Sequence, residues 1–106
     1  MEKFITNFKI KSRHHHKLIN FIYPELKKIN NTNILEFGVS EKGMSTELFL
    51  QYSKNNQCTL YSIDNVDYSK KFNDVNWRFI NTRDDNFPYV EKNIPNKFKL
   101  ILLDTI

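Results

Sequence analysis

The chain has 106 residues, 40% hydrophobic and 26% charged, a balance that suits one small globular domain. Three Pro and two Gly exclude collagen-like, Pro-rich and Gly/Ser-linker classes, and no run approaches the roughly 18 apolar residues of a membrane span. A formal net charge of +4 is unevenly spread: residues 1–28 carry +5, and the remainder carries −1.

The leading segment holds Lys3, Lys9, Lys11, Arg13, Lys17, Lys27 and Lys28 against Glu2 and Glu25. Such an arm can meet nucleic acid or an anionic surface. Lysines nevertheless outnumber arginines thirteen to three, and no aromatic platform interleaves with them in a known nucleic-acid motif. A solvated surface is therefore preferred to a nucleic-acid site. The first residues lack the continuous apolar run of a secretory signal, which places the expected compartment in the cytoplasm. In that setting Asn30-Asn31-Thr32 has no meaning as a glycosylation acceptor. Cys58, the single cysteine, supports neither an internal disulfide nor a cysteine-based zinc cage. His14-His15-His16 are sequence neighbours whose side chains diverge on a helix or a strand, so they read as a polar helix start, and no metal site is expected.

In chain order, Leu18, Ile19, Ile22, Leu26 and Ile29 recur at helical spacing over 17–29, with Pro24 dividing or kinking the helix. Ile34–Phe37 reads as a buried strand. Met44, Leu48, Phe49 and Tyr52 mark a helix that Lys54–Gln57 closes. Cys58–Ile63 is a second strand ending at Asp64, followed by a polar stretch with a short helix near Tyr68–Phe72. Trp77–Ile80 is a third strand. Asp84 and Asp85 can cap a helix that tolerates Pro88 in its first turn and is anchored by Tyr89, Val90 and Ile94. Phe98–Leu103 is a fourth strand ending at Asp104. Strands alternating with helices imply an α/β fold with a parallel sheet.

Both glycines, Gly38 and Gly43, fall in the loop after the first strand. In doubly wound sheets that turn is where a cofactor approaches the backbone, although two ordinary turn glycines would look the same. Gly38–Ser45 comes within one residue of the P-loop pattern but places Met44 where a lysine must reach the terminal phosphates. A dinucleotide fingerprint fails as well, because Ser40 replaces its second glycine. Glu36 and Glu41 would repel phosphate in either case. A cationic cofactor reverses that sign: Glu36 can hold an amino or sulfonium-bearing group, and Asp64 can accept both hydroxyls of a ribose. The competing roles are a capping carboxylate for Glu36 and a strand-end turn residue for Asp64.

The segment Ile34-Leu35-Glu36-Phe37-Gly38-Val39-Ser40-Glu41-Lys42-Gly43-Met44-Ser45-Thr46 resembles the first motif of the class I S-adenosylmethionine-dependent methyltransferases, in the variant where G-x-S-T opens the helix. Leu60–Asp64 is similar to their second motif, Phe79–Asp85 to the segment that approaches adenine, and Phe98–Asp104 to the fourth-strand motif. The resemblance covers 33–104 and departs at Ser40, in a longer loop, and at Arg83, where an acid is expected and Asp84 stands next. It implies a Rossmann-like three-layer parallel sheet of about four strands in the order 3-2-1-4, incomplete beside the family's seven. A basic helical segment, 1–32, would precede a partial cofactor-binding domain, 33–106. It further implies S-adenosylmethionine bound by Glu36, Gly38, Ser40, Gly43, Asp64 and Asp84, with Asp104 near a small-molecule methyl acceptor. The apolar run Leu100–Leu103 suits a strand with neighbours on both sides. The chain is accordingly expected to be the N-terminal half of such an enzyme, or to have strand four covered by a partner chain or a second copy. The alternatives are a non-catalytic module whose basic arm binds nucleic acid or an acidic partner, and another adenosine-nucleotide enzyme such as half a dehydrogenase.

Overall fold

A computed structural model describes residues 1–83, 85–95 and 97–103, and for 100–103 the backbone alone. The elements are α1 (Glu2–Lys9), α2 (Arg13–Phe21), α3 (Tyr23–Leu26), β1 (Asn33–Phe37), α4 (Met44–Asn56), β2 (Thr59–Asp64), β3 (Trp77–Asn81), α5 (Phe87–Asn93) and β4 (Leu100–Leu103). The chain is a small α/β domain built on a parallel sheet. β1 pairs with β2 from Asn33–Thr59 to Phe37–Ile63, and β2 pairs with β3 from Leu60–Trp77 to Asp64–Asn81. The backbone of β4 runs parallel to β1 from Ile34–Leu100 to Phe37–Leu103. Among the described residues no helix is long and apolar enough to cross a membrane.

Strand alternation divides the sheet into two faces. Ile34, Leu60 and Trp77 point toward one core, shared with Val39, Leu48, Phe49 and Tyr52 around α4. Leu35, Ile63 and Ile80 point the other way and meet Val90 of α5. Phe8, Leu18, Ile19 and Leu26 from the first three helices belong to the α4-side core, so the basic leading segment and the sheet bury apolar surface together.

Several local expectations are refined by packing. α1 falls within the expected helical segment 1–32 without having been delimited in it; its Phe4 and Phe8 stack one turn apart with centroids 5.4 Å apart, and Glu2 and Lys9 complement the helix dipole. α2 starts at Arg13, with the three histidines in its first turn as the expected polar helix start, and the Ser12 hydroxyl caps it by accepting from His15 N at 3.2 Å. Pro24 does divide the segment into two helices, sitting in the first turn of α3. His15 packs edge-on to Phe8 with centroids 4.6 Å apart, while His14 and His16 are exposed, so the three imidazoles diverge. Burial, and then the Lys11 charge, hold His15 below its ordinary pKa. α4 ends at a left-handed Gln57, as its polar closing residues imply.

The expected helix near Tyr68–Phe72 does not form. Asp67 Oδ1 accepts from Ser69 N at 2.9 Å, and Lys71 N donates to Tyr68 O at 2.9 Å, so short polar side chains turn the chain instead. The twelve residues 65–76 still suffice to return the chain for a parallel strand. Asn86 occupies the N-cap position of α5 without a side-chain cap bond, and Asp85 pairs with Arg83 at 2.8 Å. Tyr89 is exposed, so Val90 alone is the buried anchor of α5, with Ile94 half-buried. Asp84 and Asp104 lie outside the described residues, as do the side chains behind the expectation of a doubly flanked fourth strand.

Leu48 has no exposed surface and sits where α4 meets the sheet. Leu48→Ala is expected to cost about 2–5 kcal/mol, read as a lower urea midpoint at unchanged slope.

Candidate functional site

The loop from Gly38 to Gly43 joins the carboxyl end of β1 to α4 in a short span. It turns through three left-handed residues: Gly38 (φ 98°), Ser40 (φ 68°) and Gly43 (φ 61°). Both glycines therefore sit where a side chain would be strained, and Ser40 carries a strain of about 1–2 kcal/mol that a third glycine would avoid. Its hydroxyl accepts from Gly43 N at 3.4 Å, a local bond a glycine could not make.

Asp64 closes β2 beside this loop. Its Oδ2 accepts from Val39 N at 2.9 Å and from Ser40 N at 3.5 Å, and its Oδ1 accepts from Val66 N at 2.9 Å. Gly38 N in turn donates to Ile63 O at 2.7 Å. The acid and the glycine loop are thus joined at the carboxyl edge of the sheet, although 25 residues separate Asp64 from Val39. Asp64 is only half-buried, so its carboxylate keeps a solvent-facing side.

Glu36 has a different setting. In the β1–β2 register it lies opposite Ser62, so alternation puts its side chain on the same sheet face as that of Asp64, one strand repeat deeper. It is fully buried beneath the first turn of α4. Its Oε2 accepts from Ser45 Oγ at 2.6 Å, and its Oε1 accepts from Thr46 Oγ1 at 2.6 Å and Ser62 Oγ at 2.9 Å. Ser62 Oγ also accepts from Trp77 Nε1 at 2.9 Å, which orients its own proton toward Glu36. Hydroxyl donors converge on the group, a pattern suited to the carboxylate form. The side chain has no exposed surface and ties α4 to the strands. Ser45, Thr46, Ser62 and Trp77 were not singled out from the sequence. The first two were visible as the G-x-S-T opening of α4, but Ser62 and Trp77 emerge only from strand register.

Lys71, from the turn after β2, crosses the far end of the loop. Its ammonium donates to the Glu41 carbonyl, its stem passes over Gly43 so that a Cβ there would lie 2.7 Å from Cε, and its charge rests 5.7 Å from the Tyr68 ring centroid. Lys11 reaches across from the α1–α2 turn to Glu47 Oε1 at 3.3 Å, an exposed pair worth little energy that nevertheless places the turn beside the start of α4. Along the flank of α4, Glu47, Leu50, Gln51, Lys54, Phe72 and Asp74 line a hollow of about 200 Å³ in which Lys54 and Asp74 pair at 3.2 Å. No group of three or more His, Cys, Asp or Glu able to hold a metal occurs among the described residues.

Comparison of the chain with family models, with curated proteins and with solved structures found no match.

Glu36→Ala would leave three buried hydroxyls without their acceptor and open a cavity, and is expected to cost at least about 3 kcal/mol, with Glu36→Gln milder. Urea denaturation measures both. A midpoint for Glu36→Ala within about 1 kcal/mol of the parent would show that the carboxylate does not hold the helix.

Proposed function

We propose that this chain is the cofactor-binding part of an S-adenosylmethionine-dependent methyltransferase. The observation that carries the reading is the Asp64 carboxylate held against the Val39 and Ser40 amides, which sets a ribose-binding acid next to a left-handed glycine loop at the carboxyl edge of a parallel sheet. Asp64 Oδ1 accepts one amide and retains a lone pair for a ribose hydroxyl.

The sign of the charge separates this cofactor from a dinucleotide. A pyrophosphate would sit at the N-terminus of α4, drawn by unpaired amides and the helix dipole. Glu36 already occupies the underside of that turn through Ser45 and Thr46, and compensates the dipole with a carboxylate. A sulfonium and an ammonium gain from the same charge. Glu36 then acts at a distance, through field and loop position, while Gly38, Ser40 and Gly43 shape the backbone against the methionine portion. Asp84 and Asp104 receive no role from the described geometry.

In this reading the sheet is the 3-2-1-4 portion of a Rossmann-like seven-stranded fold, and the enzyme works in the cytoplasm. Catalysis would consist chiefly of holding the donor methyl in line with its acceptor.

Calorimetry with S-adenosylhomocysteine and NAD, side by side, tests the proposal. The parent is expected to bind the first and not the second, and Asp64→Ala to weaken it at least tenfold, since each charge-assisted hydrogen bond contributes about 1.5–3 kcal/mol. Asp64→Asn, which keeps one acceptor oxygen for the loop, controls for folding by circular dichroism. A folded Asp64 variant that binds as tightly as the parent refutes the ribose assignment, and NAD binding alone refutes the methyl donor.

A further inference from the structure

The longest stretch of the chain without a carboxylate is 3–24, which holds Lys3, Lys9, Lys11, Arg13, Lys17 and three histidines. Folding gives this stretch a direction that composition does not. α2 turns Leu18 and Ile19 into the core with Ile22 beside them, so the opposite side of the helix faces outward. Arg13, Lys17 and Phe21 succeed one another at intervals of four residues on that outward side, flanked by His14 and Asn20, and all five are exposed. The stripe is about 12 Å long. At its end stands an aromatic ring open to solvent: Phe21 is 71% exposed. Neither Arg13 nor Lys17 has an ion-pair partner among the described residues, whereas Lys11 and Lys28 do.

Two cations in line with a bare aromatic ring match what a single-stranded nucleic acid presents, a row of phosphates with unstacked bases alongside. Lysine-rich composition alone disfavoured such a partner for want of an interleaved aromatic. The fold supplies one, because Phe21 is brought into line with the charges by the helical repeat. The stripe is also held rigidly: Phe8, Leu18 and Ile19 anchor both helices in the main core, and Lys11 pins their turn to Glu47. We infer that the outward face of α2, with Arg13, Lys17 and Phe21, is a docking surface for single-stranded nucleic acid.

This inference is independent of the cofactor, so it is measured in the cofactor's absence and survives or fails separately from the methyl-transfer reading. The probe is a fluorescein-labelled oligouridylate of about 12 nucleotides, followed by anisotropy from about 50 to 200 mM salt. The parent is expected to bind with affinity falling as salt rises. Lys17→Ala should reduce the slope of log K against log salt by about 0.7, and Phe21→Ala should weaken binding roughly 5- to 100-fold at unchanged slope. Both side chains are exposed, so neither substitution threatens folding. Absence of binding at the lowest salt overturns the inference, as does a Phe21→Ala variant that binds like the parent. Phe21-dependent binding to phosphatidylserine vesicles without binding to the oligonucleotide overturns it in favour of a membrane surface.

Discussion

The Glu36 carboxylate fixes more of this molecule than any other single group. Burying it costs several kcal/mol unless donors surround it, and the donors come from separate elements: Ser45 and Thr46 on α4 and Ser62 on β2, the last oriented by Trp77 on β3. The arrangement is satisfied only when β1, β2, β3 and the first turn of α4 are all in register. Hydrophobic contact between Leu48, Ile34 and Leu60 brings the helix to the sheet, but contact of that kind tolerates sliding. Hydroxyls at 2.6 Å from one carboxylate do not.

Once both ends are fixed, the conformation of the connecting loop follows. β1 must leave the sheet at Phe37 and α4 must begin at Met44 directly above Glu36, which leaves six residues to reverse the chain. A short path of that kind requires left-handed turns, and these fall at Gly38, Ser40 and Gly43. Amides freed by the turn at Val39 and Ser40 are collected by Asp64, and the carbonyl of Glu41 by Lys71. The glycine loop is thus a consequence of the buried knot beneath it, and Asp64 stands where it does partly because the loop needs an acceptor.

The architecture was legible where local pattern and tertiary environment agree. β1, β2, α4 and the strand at Trp77 carry apolar residues at the spacing of the structures they form, and Pro24 divides its helix as a proline should. Legibility failed where side-chain hydrogen bonds competed with pattern. Asp67 with Ser69 converts an expected helix into a turn. Asn86 stands at the N-cap position of α5, and its side chain turns to Thr82 Oγ1 instead. In the site, the acids and glycines could be picked out because their types are unusual at those positions. The role of Glu36 could not, because it depends on Ser62 lying opposite it, a fact of register that no single strand reveals.

Electrostatics then assign different tasks to the two acids on one sheet face. Glu36 lies beneath a helix start with three hydroxyls donating to it. Asp64 lies at the surface, holds backbone amides on one side and keeps acceptor capacity on the other. The ligand we propose would offer hydroxyl donors to Asp64 and positive charge to the region above Glu36, which a phosphate would not. The same division explains why lysines can crowd the outer helices without disturbing the site: their charge faces solvent, while the sign at the glycine loop is set from below by a carboxylate that solvent does not screen.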